Sequence, residues 1–284
     1  MPLGPRGPAA ARNFGAASAA GDILVFLDAD VAVYPDTLSR MAAWLETHAD
    51  VDAVFGSYDA SPDHPSLVSQ YRNLLHHYVH QHSSGDAETF WAGCGAVRRS
   101  VFVAAGGFDE RHRRASIEDI EFGDRLRAAG RRIALRPEIQ VTHLKRWTLR
   151  QMVRSDIVDR AVPWTRLILE RRRLPNTLNV TMRNRVSAGA AWTMLAALAA
   201  SPAVPVVSWA ALLGLAVLAG LNGRFYRFLL ARRGLGVAAV GAGLHTAYLL
   251  YSSAVFVALA GHAWMARLPG RLFGWSPVSE RSRP

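Results

Sequence analysis

The last third of the chain is dominated by two uncharged stretches. Residues 186–223 and residues 234–266 contain no Asp, Glu, Lys or Arg. A helix that crosses the hydrocarbon core of a bilayer needs about 20 apolar residues, and "SPAVP" (201–205) interrupts the first stretch where a turn would be needed. The pattern predicts about three transmembrane helices, at 187–201, 203–222 and 236–262. The alternative, a buried helical hairpin of a soluble domain, is disfavoured by the length of the stretches.

Arginines flank these stretches and predict their orientation. Five precede the first stretch (Arg171, Arg172, Arg173, Arg183 and Arg185), and four separate the two (Arg224, Arg227, Arg232 and Arg233). Basic loops stay in the cytoplasm. We therefore expect a multi-pass protein of the cell (inner) membrane with a cytoplasmic N-terminal domain. The expected divisions are a domain at 1–155, an interfacial amphipathic linker at 156–185, the transmembrane region at 186–266 and a basic tail at 267–284.

Strand and helix patterns alternate in the first half of the chain. The apolar run Ile23–Leu27 is typical of a parallel strand buried on both faces. Strands are also expected at 51–58, 132–137 and 139–143, with helices between them, among them 116–129, which Gly130 closes. This alternation predicts a doubly wound α/β sheet, in which ligands bind at the carboxyl ends of the strands.

The net charge and the cysteine content indicate which partners and which redox compartment to expect. The net charge of +11 would suit a nucleic-acid-binding protein, but no nucleic-acid motif accompanies the basic residues, which lie in amphipathic stretches and beside the apolar runs. Arginines at a membrane surface attract anionic lipids, so we expect membrane lipid as a partner and no nucleic acid. The single cysteine, Cys94, excludes an internal disulfide and fits a reducing cytoplasm.

Asp28 and Asp30 follow the first strand directly, in "ILVFLDADV". Their position at a strand end places them where a ligand is expected. Paired carboxylates suit Mg²⁺ or Mn²⁺, ions that keep open positions for substrate phosphates. The alternative is that both side chains only support the following turn, where Asp is common.

Glu118 and Asp119 form a second acidic pair, in "SIEDIEFGDRLRAAG". A carboxylate at a helix start that faces a crevice can act as a general base. The alternative is a capping box between Ser116 and Asp119, since acidic residues favour helix N-termini.

Two other candidates are weaker. His76 and His80 have the i, i+4 spacing of a zinc site, but no acidic residue of the helix accompanies them, and a polar helix face is the favoured interpretation. Cys94 has no adjacent base, so a small packed residue is expected there rather than a nucleophile.

Four segments together resemble the family 2 glycosyltransferases of the GT-A fold. They are "AAARNFGAASAAGDILVFLDADV", "FWAGCGAVRRSVFVAAGGFDE", "SIEDIEFGDRLRAAGRRIAL" and "VTHLKRWTL", which occur in the family's order and at about its spacing. The resemblance covers roughly residues 9–155. It implies a partial GT-A-like, doubly wound mixed sheet followed by the C-terminal transmembrane helices.

The resemblance also implies roles for both acidic pairs. Asp28 and Asp30 match the D-x-D motif that binds the divalent metal, Mg²⁺ or Mn²⁺, and through it the nucleotide diphosphate. Asp119 matches the base that deprotonates the acceptor hydroxyl, with Glu118 beside it in the acceptor site. His143 is either a third metal ligand or a structural histidine.

Two further motifs match family positions around the sugar. Trp91, Gly93, Cys94 and Gly95 match the loop that lines the sugar and acceptor pocket. "HLKRW" has the spacing of the Q-x-x-R-W motif of membrane-bound polysaccharide synthases, with His143 in place of Gln. The match implies that Arg146 holds the diphosphate and that Trp147 stacks on the acceptor sugar.

The implied activity is transfer of a sugar from a nucleotide-sugar donor to a lipid-linked or glycan acceptor at the cytoplasmic membrane face. The reaction is expected to be metal-dependent and inverting, and to serve cell-envelope polysaccharide synthesis. Family members have two strand units before the D-x-D strand, whereas 22 residues precede Ile23 here. We therefore expect part of the nucleotide-binding half to be missing. The alternative function is a non-catalytic truncated relative that acts as a membrane scaffold or partner protein.

Overall fold

A computed structural model describes residues 7–83, 85–172, 174 and 180–266. The basic tail expected at 267–284 lies outside the described residues. The sheet-forming part consists of α1 (Pro8–Ser18), β1 (Ile23–Leu27), β2 (Val31–Val33), α2 (Thr37–Thr47), β3 (Ala53–Tyr58), α3 (Leu67–Gln81), β4 (Gly85–Asp86), β5 (Cys94–Arg98), α4 (Arg99–Ala104), α5 (Glu118–Ala128) and β6 (Ile133–His143). The helical part consists of α6 (Leu149–Arg154), a π-helix (Ser155–Ala161), α7 (Val162–Arg171), α8 (Met182–Ala200), a 3₁₀ turn (Pro205–Val207) and α9 (Ser208–Met265).

The strands form one mixed sheet in the order β1-β5-β3-β6-β2, with β4 paired to β6. Strands β3 and β6 are parallel, and the other strand pairs are antiparallel. Apolar residues cover both faces: Phe55 of β3 packs into a phenylalanine-rich core on one side, and Val54 packs with Met41 and Leu45 of α2 on the other. The predicted mixed α/β sheet is confirmed.

Strand β1 corrects one expectation. It is an edge strand, paired antiparallel with β5, rather than a parallel strand buried on both faces. Leu24 and Phe26 are buried, whereas Val25 and Leu27 are 37% and 38% exposed. Successive side chains of a strand point to opposite faces, and in β1 only one face is covered. An uninterrupted apolar run does not distinguish these two situations.

Strand β6 replaces the two short strands expected at 132–137 and 139–143. It runs through Pro137 with a register shift opposite β3, between Phe55 and Ser57. An irregularity is needed there because proline has no N–H for the ladder. Beyond it, β6 pairs antiparallel with β2, so that His143 lies opposite Val31. This pairing brings the end of β6 next to the Asp28–Asp30 turn.

The long helix α9 folds back on itself at Gly234. This residue has φ 77° and ψ −177°, a conformation that an L side chain rarely adopts. The Tyr226 hydroxyl lies 3.1 Å from His245 Nδ1, and a Cβ on Gly241 would come within 2.6 Å of Leu229 Cδ1. Residues 208–233 and 235–265 therefore form two antiparallel arms, and α8 packs beside them.

The expectation of about three transmembrane helices is wrong in number. Among the described residues, one helix, Pro205–Met265, is long and apolar enough to cross a membrane. Helix α8 does not qualify because Arg183 and Arg185 occupy its first turn, which leaves residues 186–200, fewer than the roughly 20 that a span needs.

Two sets of contacts attach the α9 arms to the sheet domain. Phe225 and Leu229 pack against Tyr71 and Tyr78 of α3. Near the bend, Arg233 Nε donates to Gln70 Oε1 at 2.6 Å. The helical part therefore packs directly against α3 and is not joined to the sheet domain by a linker alone.

Gly123 of α5 tests the packing of this fold. A Cβ there would lie 2.3 Å from the backbone nitrogen of Phe90, and backbone cannot move aside as a flexible side chain can. We expect Gly123→Ala to lower the free energy of unfolding by about 2 kcal/mol. The matched control is Gly15→Ala, at an exposed position of α1 where a Cβ meets nothing within 4 Å.

The control is expected to stabilise the protein by up to about 1 kcal/mol, since alanine favours helix over glycine. Urea unfolding of the detergent-solubilised protein measures both changes. Equal stability of the two variants would contradict the packing of α5 on the loop before β5.

Candidate functional site

A cleft of about 470 Å³ lies beside the turn that follows β1. Seven of the predicted site residues line it: Asp28, Asp30, Trp91, Glu118, Asp119, His143 and Trp147. The structure therefore brings the two acidic pairs, separated by about 90 residues of sequence, to one cavity. The lining residues that were not among the predicted site residues include Arg12, Tyr58, Arg72, His76, His80, Lys145, Arg160 and Trp164.

Arg12 of α1 connects the two acidic pairs. Its guanidinium donates to Asp28 Oδ1 at 2.6 Å and to Glu118 Oε1 at 2.7 Å. The Arg12 and Glu118 side chains are 17% and 4% exposed, so these charges are poorly solvated and depend on each other. Sequence reasoning missed this residue because a lone arginine in an alanine-rich helix carries no local signal.

Asp30 lies on the opposite side of the turn, beside the end of β6. Lys145 Nζ is 3.2 Å and His143 Nε2 is 3.9 Å from Asp30 Oδ2. The His143 imidazole and the Lys145 ammonium lower the pKa of Asp30 to about 2. His143 is buried and stacks on Tyr58, with ring centroids 4.1 Å apart. This packing fixes the imidazole at the wall of the cleft.

The capping box considered for Ser116 and Asp119 does not form. Helix α5 begins at Glu118 without a side-chain cap, and the Ser116 hydroxyl donates to the Asp159 carbonyl instead. Glu118 accepts from the Ser116 N–H at 2.8 Å as well as from Arg12. Both Glu118 oxygens are therefore engaged, and Asp119 faces the cleft.

Asp119 is held by backbone donors. Its carboxylate accepts from the N–H groups of Ala92, at 3.2 Å, and Ile120, at 2.8 Å. Desolvation raises the pKa of Asp119 to about 7, the Glu118 carboxylate adds to the rise, and Arg12 opposes it. A carboxyl group with a pKa near 7 is suited to take up a proton at neutral pH.

The predicted loop residues contribute unequally. Trp91 lines the cleft, whereas Gly93, Cys94 and Gly95 do not. A Cβ on Gly93 would lie 2.5 Å from the Trp91 ring, so this glycine leaves room for the indole. Cys94 is fully buried in β5, and burial raises the pKa of its thiol to about 12, as expected for a packed residue rather than a nucleophile.

The two ends of "HLKRW" reach the cleft, but Arg146 does not. Arg146 is exposed, and the neighbouring Lys145 faces Asp30 instead. Trp147 lines the cleft between two cations: Lys145 Nζ lies 4.7 Å and Arg72 Cζ 5.6 Å from the ring centroid. A diphosphate-binding role for Arg146 stays a prediction.

An aromatic wall stands beside the carboxylates. The His76 ring centroid lies 4.0 Å from that of His80, 4.5 Å from that of Tyr58 and 4.7 Å from that of Trp91. Burial lowers the pKa of His80 to about 4 and that of His76 below its ordinary value. Both imidazoles are therefore neutral at pH 7. Both belong to the face of α3 that lines the cleft.

The side chains around Asp28 include oxygen ligands of the kind that a hard divalent cation prefers, but only a few of them. Among the described residues, no three His, Cys, Asp or Glu side chains converge as a metal site. Asp28 and Asp30 offer the carboxylate oxygens that Mg²⁺ and Mn²⁺ prefer, and a site with only two protein carboxylates is typical of ions that share substrate phosphates. In this structure Arg12 and Lys145 balance their charge.

Comparison with known proteins agrees with the motifs. Residues 4–104 match the family model of Glycosyl transferase family 2. The family resemblance is confirmed for this part of the chain. The match includes Arg12 and the Asp28–Asp30 turn but ends before Glu118 and Asp119. No curated protein in the comparison matches the chain.

One similar solved structure is the mannosyltransferase PcManGT from Pyrobaculum calidifontis, in complex with GDP-Man and Mn²⁺. The two chains are 20% identical, and the likeness covers 89% of this chain and 67% of that one, with a TM-score of 0.45.

Removal of Arg12 tests the connection between the acidic pairs. Arg12→Met leaves the nearly buried Glu118 and its neighbour Asp119 without their compensating charge, so we expect a loss of about 2 kcal/mol in the free energy of unfolding at pH 8. Adding Glu118→Gln to that variant should recover part of the loss.

Arg40→Met is the matched control because Arg40 forms an exposed i, i+4 pair with Asp36. A change below about 0.5 kcal/mol is expected there. If Arg12→Met and Arg40→Met unfold at the same urea concentration, Arg12 does not hold the cleft together.

Proposed function

We propose that this chain is a membrane-attached glycosyltransferase that moves a sugar from a nucleotide-sugar donor to a lipid-linked or glycan acceptor. The observation that carries the proposal is the meeting, in one cleft, of the Asp28–Asp30 pair with Asp119, whose pKa is about 7. The match of residues 4–104 to a glycosyltransferase family supports it independently. Cell-envelope polysaccharide synthesis is the setting we propose.

The first acidic pair, Asp28 and Asp30, would bind the donor through a metal ion. Asp28 and Asp30 would hold a divalent cation, Mg²⁺ or Mn²⁺, and His143 is the further candidate ligand beside them. Such an ion neutralises the negative charge that develops on a diphosphate leaving group. Lys145, which lies between Asp30 and the Trp147 ring, supplies a second positive charge at this end of the cleft.

Asp119 would activate the acceptor, and aromatic side chains of the cleft would bind sugar rings. Asp119 takes the proton of the acceptor hydroxyl as that oxygen attacks the anomeric carbon, and the carbon–oxygen bond to the diphosphate breaks. Attack from the face opposite the leaving group inverts the anomeric centre in one step. Trp91 and Trp147 offer aromatic faces on which a sugar ring can stack.

Helix α9 would hold this site at the cytoplasmic membrane face. The bend at Gly234 lies among arginines and contacts α3 through Arg233, so the bend and the sheet domain lie on the same side of any bilayer. Basic segments remain in the cytoplasm. Exposed apolar residues concentrate at the far ends of α8 and α9, among them Trp209, Leu213, Val257 and Trp264.

Asp119→Asn tests the base. The amide cannot accept the proton, so we expect sugar transfer to fall at least about a hundredfold while the affinity for the nucleoside diphosphate changes less than about twofold. In the parent, the carboxylate is the active form. The rate should therefore fall about tenfold between pH 8 and pH 6, as Asp119 takes up a proton.

Glu118→Gln removes a negative charge beside Asp119 and should move the acid limb of this profile to lower pH. Radiolabelled transfer to a membrane lipid extract measures the rates. Transfer by Asp119→Asn at the parent rate, or a parent rate independent of pH over this range, would exclude Asp119 as the base.

Metal removal tests the donor side. We expect a nucleoside diphosphate to bind with Mn²⁺ present and to bind at least about tenfold more weakly after chelation, since Asp28 and Asp30 would hold an ion whose charge offsets that of the phosphates. Asp30→Asn should reproduce that loss in the presence of Mn²⁺. Equilibrium dialysis measures it, with Asp36→Asn, an exposed carboxylate just before α2, as control.

The alternative is a non-catalytic relative that acts as a membrane scaffold or partner protein. One observation favours it: β1 is an edge strand, so the described residues provide no wall beyond it for a nucleotide base. Absence of nucleoside diphosphate binding at any Mn²⁺ concentration would favour this alternative over the enzyme.

A further inference from the structure

The π-helix Ser155–Ala161 forms one side of the cleft. It begins with a buried ion pair, in which Asp156 lies 2.7 Å from Arg72 of α3. Asp156 also accepts a hydrogen bond from the Tyr251 hydroxyl of α9 at 2.6 Å. Three residues of the π-helix line the cleft: Ser155, Asp159 and Arg160. π-Helical turns are rare and are frequent at functional sites, and here the turn is fixed from two sides.

Arg160 differs from the other cations that line the cleft. Arg12 pairs with Asp28 and Glu118, Lys145 with Asp30, and Arg72 with Asp156. Arg160 has no ion-pair or hydrogen-bond partner in the part of the chain that the structure describes. The neighbouring Asp159 is engaged by Arg114 at 3.0 Å. Arg160 is an exposed residue that lines the cleft, and a guanidinium without a protein partner in such a place is available to an anionic ligand.

Arg160 lies near the start of α5, which carries Asp119. The Ser116 hydroxyl, three residues before Asp119, donates at 2.7 Å to the carbonyl of Asp159, the residue before Arg160. Asp119 and Arg160 both line the cleft. An anion bound by Arg160 would therefore lie near the base.

Trp164, at the start of α7, lines the same cleft four residues beyond Arg160. Helix α7 packs against α9, the apolar helix that would hold the chain at a membrane. The π-helix and the start of α7 thus offer a positive charge and an indole, four residues apart, to the same cleft. This combination suits a molecule with a phosphate next to an apolar or ring-shaped part.

We propose that Arg160 binds a phosphate group of the acceptor beside Asp119, and that the acceptor is therefore a phosphorylated molecule. This assignment rests on the proposed glycosyltransferase function and specifies its substrate class. The guanidinium forms two parallel N–H···O bonds to the phosphate oxygens. Arg160 thereby positions the attacking hydroxyl next to Asp119 and has no role in proton transfer.

Binding of benzyl phosphate to the full detergent-solubilised chain tests the proposal without a donor or turnover. Quenching of tryptophan fluorescence reports the binding, and benzyl alcohol is the uncharged comparison. We expect Arg160→Gln to weaken benzyl phosphate binding by about tenfold and Arg160→Lys to weaken it less. Arg154→Gln, an exposed arginine on the preceding turn that does not line the cleft, should bind as the parent does.

A second arm separates an acceptor phosphate from the donor diphosphate. With Mn²⁺ present, the affinities of UDP and GDP should differ by less than about twofold between the parent and Arg160→Gln. Equal losses for benzyl phosphate and the diphosphates would assign Arg160 to the donor and overturn the proposal. So would parent-like benzyl phosphate binding by Arg160→Gln, or no binding by the parent.

Different outcomes would reject the proposed glycosyltransferase function and the proposed phosphate site. If the parent transfers no sugar but binds benzyl phosphate through Arg160, the glycosyltransferase assignment is wrong while the phosphate site stands. If transfer is active and Arg160→Gln leaves both the acceptor KM and benzyl phosphate binding unchanged, the phosphate site is wrong while the enzyme stands.

Discussion

The bridge that Arg12 forms between Asp28 and Glu118 is the interaction on which the cleft depends. It connects residues 106 positions apart, from α1 to the start of α5. Arg12 lies between the partly exposed Asp28 and the nearly buried Glu118, and its charge compensates both carboxylates and so favours the packing of α5 beside the β1 turn. The same guanidinium moderates the rise in the pKa of Asp119. Its position therefore affects both the shape of the cleft and its chemistry.

A second ion pair connects the cleft to the helical part. Arg72, which lines the cleft, pairs with Asp156, and Tyr251 of α9 donates to that same carboxylate. Helix α9 is therefore in direct contact with the π-helix that contains Arg160. Helix α9 and the cleft thus share one buried network of ionic and hydrogen-bonded side chains.

Local patterns were sufficient to single out the two acidic pairs that the structure brings to one cleft, because each pair lies at the end of a strand or the start of a helix. They were insufficient for Arg12 and Tyr58, whose places in the cleft arise from contacts between distant elements. The sequence also misled in two places. The apolar run of β1 fits an edge strand as well as a central one, and uncharged length alone does not determine how many helices are long enough to span. Lys145 rather than Arg146 faces Asp30 because of where β6 ends, a one-residue difference that motif spacing does not resolve.

The central claim is that one cleft holds the diphosphate between the Asp28–Asp30 pair and Asp119. A crystal structure of the chain with a nucleoside diphosphate and Mn²⁺ tests this most directly. The account predicts anomalous density for the ion in contact with Asp28 or Asp30, and the diphosphate between that ion and the Asp119 side of the cleft. An ion bound away from both carboxylates, or a diphosphate outside the cleft, would contradict it.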